Sequence, residues 1–125
     1  MELKGRVIKN GKAHATAVVC LQALSLLGGI DPDTGEILTG ECKGQNAKCK
    51  ILVFPHGIGS TVGSYVLYRM KKNGTAPAGI INEECEPIVA VGAIISDIPC
   101  VDRIDTKAIK TGDVVEIDGE TVTVN

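Results

Sequence analysis

Three hydroxyls, Ser60, Thr61 and Ser64, follow two glycines, Gly57 and Gly59, and His56 stands just before them. Ser60-Thr61 falls where a helix should begin. The first amides of a helix have no partner inside it and point outward, and with the helix dipole they favour an anion. Glycines let that anion come close to the backbone. A plain reading stands beside this one: Ser60 or Thr61 only caps the helix, and the glycines only make the turn. The residues alone leave both open.

Two local elements must hold this turn in place. Ile51-Leu52-Val53-Phe54 is an unbroken apolar run that reads as a buried strand, and Pro55 ends it because it has no amide to give a neighbour. From Val62 the spacing becomes helical, with Val62, Val66 and Met70 on one face and Leu67 beside them. Arg69, Lys71 and Lys72 suit the last turn, and Asn73-Gly74 supplies the stop. The order is strand, glycine turn, hydroxyls, helix.

Elsewhere the pattern predicts strands. Leu3 to Ile8 and His14 to Val19 read as a hairpin about Asn10-Gly11. Ile80-Ile81 seeds a short strand, and Ile88 to Ile95 reads as a second fully buried strand. Cys100 to Asp102 is extended, and Ile104 to Lys110 resembles a helical turn. Asp118-Gly119 closes a last hairpin between Val114-Ile117 and Glu120-Val124. His14 reads as a surface strand residue, and Asp31 and Asp33 as caps of their own turn. Glu83, Glu84 and Glu86 read as solvated. The expectation is one α/β domain over residues 1–125, with hairpins at both ends and one clear helix.

Composition excludes several classes. Net charge is -2 with no basic block, and aromatics are 2%, so neither nucleic acid nor a lipid surface finds electrostatic or stacking support. The turn is not a P-loop, since no lysine occurs between Lys50 and Lys71. It is not a dinucleotide fingerprint either, because Val62 stands where the third glycine belongs. The five cysteines are odd in number and lack a CxxC pair, so neither a disulfide framework nor a self-contained zinc site is expected. Cys42 and Cys49 offer two metal ligands at most, and no metal site is assigned to this chain. The polar opening is no signal peptide and no apolar run spans a bilayer, which makes the cytoplasm the expected location.

A resemblance adds to this. Gly28-Gly29-Ile30-Asp31 with Thr34-Gly35, then Leu52 to Pro55 and Gly57-x-Gly59-Ser60-x-Val62-Gly63-Ser64, occur in order with Ala76-Pro77 and Gly92-Ala93-Ile94. Ile98-Pro99-x-Val101-Asp102, Gly112-Asp113 and Asp118-Gly119 complete the set. Together they resemble the small subunit of the aconitase X family, across nearly the whole chain. The resemblance implies a swivelling β/β/α domain that docks on a larger catalytic subunit. Family members of this type remove water from (R)-5-phosphomevalonate to give trans-anhydromevalonate 5-phosphate, in the archaeal mevalonate route to isoprenoids. An iron–sulfur cluster on the large subunit takes the leaving hydroxyl. The proton acceptor falls on Ser60, and the amides of Gly57, Ile58, Gly59 and Thr61, with Ser64 and His56, fall around the substrate anion.

One position departs from the pattern. Where the family often carries arginine between the two glycines, this chain has Ile58. His56, Arg69, Arg103 or a residue of the large subunit are the candidates to replace it. Beside the lyase subunit stand two other functions: an anion-binding swivel module without chemistry, or a dehydratase subunit for another hydroxy acid.

Overall fold

The computed structural model describes residues 1–125. Its centre is β5 (Ile51–Phe54), wholly buried, as its unbroken apolar run predicts. It lies between β3 (Lys12–Val19) and β7 (Gly79–Asn82), parallel to both. β8 (Cys100–Asp102) continues parallel beyond β7, and β2 (Arg6–Lys9) closes that edge antiparallel. On the other side of β3 come β9 (Val114–Asp118), β10 (Thr121–Val124) and β1 (Glu2–Lys4), all antiparallel.

β3 belongs to both halves of this sheet. Its residues Lys12–Thr16 pair with β9, while Ala17–Val19 pair with β5. The sheet folds over at that strand, because one apolar cluster joins Ile51, Val53, Ile81 and Val101 of the parallel half to Val115, Ile117, Val122 and Val124 of the antiparallel half. The opposite face of the parallel half buries Leu52, Phe54, Ile80 and Cys100 against two helices. These are α2 (Gly63–Asn73) and α3 (Pro87–Ser96), which follow a single bent turn, α1 (Leu26–Gly29). The result is three layers, β/β/α.

α2 buries Val66, Leu67 and Met70 and ends on Gly74 at φ 77°, whose N–H donates to Lys71 O and Met70 O, as the Asn-Gly stop predicts. α3 corrects the sequence reading, which made Ile88 to Ile95 a strand. Glu86 accepts hydrogen bonds from the amides of Ile88 and Val89, and Pro87 occupies the first turn, so the run starts as a capped helix. Gly92 faces α2: a Cβ there would meet Leu67 Cδ1 at 2.8 Å and Ser64 O at 3.1 Å. Only one face is covered, and Val91, Ile94 and Ile95 stay 42–52% exposed.

Two further expectations fail. Asn10-Gly11 is no hairpin turn: β2 leaves it to pair with β8, and β3 pairs with β5 and β9. Long-range pairing beats the local turn signal, since β8 offers an open edge. Cys20 and Cys42 are joined in a disulfide, 22 residues apart in sequence, where no disulfide was expected. Both are 2% exposed, brought together because the 30–47 segment packs Ile30, Ile37 and Ala47 onto the helix-side core. No helix is long and apolar enough to cross a membrane.

Candidate functional site

The glycine turn leaves β5 at the carboxyl end of the parallel strands. Pro55 O accepts the amides of Glu83 and Glu84, at 3.0 and 3.1 Å, which pins the turn to the end of β7. β6 (Gly57–Ile58) then pairs in parallel with β4 (Leu24–Ser25). Gly57 is buried, and a Cβ on it would lie 2.6 Å from Glu86 Oε1 and Val89 Cγ2. Gly59 has φ +97°, and a Cβ there would lie 2.7 Å from Ser25 Oγ. At both points the chain passes where no other residue fits without a shift.

Ser60 follows, exposed at the surface. Its Oγ accepts the Val62 amide at 3.2 Å, and its carbonyl accepts the Gly63 amide at 2.9 Å. The amides of Gly59, Ser60 and Thr61 make no hydrogen bond to the backbone. Val62 holds the N-cap position, without a side-chain cap bond. Free amides and an exposed hydroxyl therefore share one turn at the positive end of α2. Ser64 differs: it is 6% exposed and donates to Thr61 O at 3.0 Å. Thr61 and Ser64 line a shallow hollow of about 160 Å³ with Pro87, Ile88 and Val91. Ser60 lines no hollow of the chain and stands on open surface.

His56, Gly57, Ile58, Gly59, Ser60, Thr61 and Ser64 thus lie in one turn, as their sequence order requires. His56 is exposed, with Nδ1 3.0 Å from Gly57 O, and Ile58 is 49% exposed. Arg69 is engaged elsewhere, 3.0 Å from Asp33 Oδ1. Asp31 accepts the Asp33 amide at 2.8 Å, as a turn cap does. His14 is an exposed residue of β3, opposite Glu116. Glu86 caps α3, and Glu83 accepts the Thr106 hydroxyl at 2.7 Å, so neither is merely solvated. The residue that sequence reasoning missed is Ser25. Its hydroxyl donates to Leu27 O at 2.8 Å and sits against Gly59, placed there by the β4–β6 pairing, for which no local signal exists.

The strand ends beside the turn are fixed by a buried carboxylate. Asp102 has no exposed surface, and Arg6 grips it with Nε at 3.0 Å and Nη2 at 2.7 Å, while the Cys85 amide donates at 2.9 Å. Burial by itself would raise its pKa; Arg6 and the Cys85 amide outweigh this and hold it below the usual carboxylate range. Cys100 Sγ lies 3.8 Å from Cys85 Sγ, and that neighbour together with burial raises the Cys100 pKa, keeping its thiol protonated. The sulfur donors do not suit an iron–sulfur cluster within this chain: Cys20 and Cys42 are bonded to each other, Cys49 is exposed, and of the free thiols only Cys85 and the buried Cys100 come together.

Residues 2–125 match the family described as the aconitase X swivel domain. The chain belongs to that family. Among curated relatives, the phosphomevalonate dehydratase small subunit of Thermococcus sibiricus is 55% identical over 100% of this chain and 98% of its own length. The protein of the same name from Methanosarcina acetivorans is 51% identical, over 95% of this chain and 86% of its own. Among solved structures, Thermococcus kodakaraensis aconitase X in its holo-form superposes with a TM-score of 0.97 at 50% identity, covering 100% of this chain and 98% of that one. A 3-isopropylmalate dehydratase of Methanocaldococcus jannaschii superposes at 0.63 with 18% identity, over 92% of this chain and 82% of that one, and shares the swivel fold.

Proposed function

We propose that this aconitase X swivel domain is the small subunit of a hydro-lyase that dehydrates (R)-5-phosphomevalonate to trans-anhydromevalonate 5-phosphate. It acts only when closed on a large subunit. The observation that carries the reading is the Val62 amide donating to the exposed Ser60 Oγ. A serine hydroxyl is a poor base until its alkoxide is stabilised. An amide already aimed at that oxygen, at the start of a helix, strengthens as the oxygen becomes anionic, most of all in a site that excludes water. As the alkoxide, Ser60 takes the proton from the carbon beside the substrate carboxylate and returns to the neutral hydroxyl. The free amides of Gly59 and Thr61 hold the carboxylate or phosphate, and Ser64 braces the turn through Thr61 O. His56 and Ile58 border the same anion.

Ser60 stands on open surface, and this favours a site completed by another chain. The relatives are named small subunits, which supports a larger subunit as that chain. We place the iron–sulfur cluster, the Lewis acid for the departing hydroxyl, on that subunit, because only two free thiols here, Cys85 and Cys100, come together. The test is Ser60→Ala in the reconstituted pair. Turnover should fall by about 10²–10⁴-fold, the share of a general base, with an unchanged circular dichroism spectrum. Near-normal dehydration would remove Ser60 from this role. An anion-binding module without chemistry would bind phosphomevalonate yet form no product even as the wild-type pair.

A further inference from the structure

We propose that Arg103 supplies a cation that binds one anionic group of the substrate, the one not held at the Ser60 turn. This rests on the dehydratase reading above for the identity of the anion. The chain has three arginines. Arg6 is committed to the buried Asp102, and Arg69 to Asp33. Arg103 is exposed, and its guanidinium makes no hydrogen bond or ion pair within the chain, although its charge helps hold Asp102 ionised.

Its backbone is the second observation. Only three residues other than glycine have positive φ: Cys49, Asp97 and Arg103, at 58°, 54° and 62°. Asp97 is the C-cap of α3, and Cys49 lies in a tight turn closed by the Lys50 amide on Ala47 O at 3.1 Å. Arg103 sits in a bend just past β8. Its amide donates to Glu83 O at 2.9 Å, and the next amide, of Ile104, donates to Asn82 O at 3.3 Å. A positive φ of this kind ordinarily takes glycine. A long cation is held there in a strained backbone, with nothing inside the chain to bond.

Its place is the third. Phe54 pairs with Asn82 and Ile81 with Val101, so the carboxyl ends of β5, β7 and β8 stand level. Two backbone bonds link Arg103 to the glycine turn, through Glu83: Arg103 N to Glu83 O, and Glu83 N to Pro55 O. β5 and β8 are two strand spacings apart, about 10 Å. A substrate with an anion at each end can lie across that gap, one end at the Ser60 turn and the other under Arg103. The planar fork of a guanidinium suits a carboxylate or a phosphate equally, and a lysine would lose the second contact.

The test uses the reconstituted complex and titrates phosphomevalonate by calorimetry, which needs no turnover, beside steady-state assays. Arg103→Gln should weaken binding and raise KM by about 10–100-fold, with kcat within about threefold and the subunits still associated. Arg103→Lys should recover only part, and Arg69→Gln should match the wild type. Unphosphorylated mevalonate separates the two anions: a loss that vanishes with it assigns Arg103 to the phosphate, and a loss that persists assigns it to the carboxylate. Unchanged binding in Arg103→Gln overturns the proposal, whether the variant is otherwise intact, less stable through Asp102, or detached from the large subunit. A complex that binds phosphomevalonate through Arg103 but forms no product overturns the dehydratase reading and leaves this one standing. Failure of the wild-type complex to bind overturns both.

Discussion

Gly59 meets two demands at once, a left-handed φ of +97° and the Ser25 hydroxyl at 2.7 Å from where its Cβ would be. Gly59→Ala should therefore cost about 1–2 kcal/mol for the backbone and crowd Ser25 as well. Adding Ser25→Ala should restore the crowding share and leave the backbone share. Urea midpoints of the two variants check this, and dehydration by the pair should fall in both, because Ser60 is the next residue. At this scale much was legible. Two glycines, a hydroxyl pair and a helical spacing are local facts, and the turn they build is local too. Ser25 was not legible: it lies far before Gly59 in sequence, and only the pairing of Leu24-Ser25 with Gly57-Ile58 joins them. The partner of Arg69 was hidden for the same reason, since Asp33 reaches it from a distant turn.

Among elements, α3 shows how a cap decides what a composition cannot. Val, Ile and Ala in a short run fit a buried strand or a buried helix equally, and β-branched residues tilt the reading towards a strand. Glu86 reverses that choice by accepting two amides at once, at 3.0 and 2.8 Å. Glu86→Ala should lower stability by about 1 kcal/mol, seen as a lower thermal midpoint. Gly92→Val should cost more, about 1–3 kcal/mol, because the added atoms press on the Ser64 backbone at the start of α2. The Asn10-Gly11 signal failed for a different reason. A turn dipeptide proposes a hairpin, but β2 has its register set by Arg6 on Asp102, across the molecule. β5, α2, β7 and the hairpin of β9 and β10 were legible, because each is bounded by its own glycine or proline.

For the molecule as a whole, two long-range fasteners lay outside the reach of local pattern. The Cys20–Cys42 bond closes a loop that contains β4, so it also steadies the strand beneath the Ser60 turn. Cys42→Ser should lower stability by about 3 kcal/mol, measured by denaturation with and without a reductant; only the wild type should respond to the reductant. The second fastener is Arg6 with Asp102. The carboxyl's pKa is depressed in the fold, so its contribution is complete above the ordinary carboxylate value, about 3.9, and is lost as pH falls through the lower folded value. Asp102→Asn should cost about 2 kcal/mol near neutrality and flatten the acid limb of the stability profile, with β2 the first edge to open in hydrogen exchange.

β3 is shared between the two halves of the sheet, and this bears on synthesis. The parallel unit from β5 to β8 is contiguous in sequence, and its inner partner, Ala17–Val19, has already left the ribosome by the time β5 emerges. The outer rim of β3, Lys12–Thr16, must wait for Val114–Asp118, which are made much later along the chain. A nascent chain halted before that point would carry a bare, pairing-ready strand, the kind of edge on which unfinished chains stick to one another.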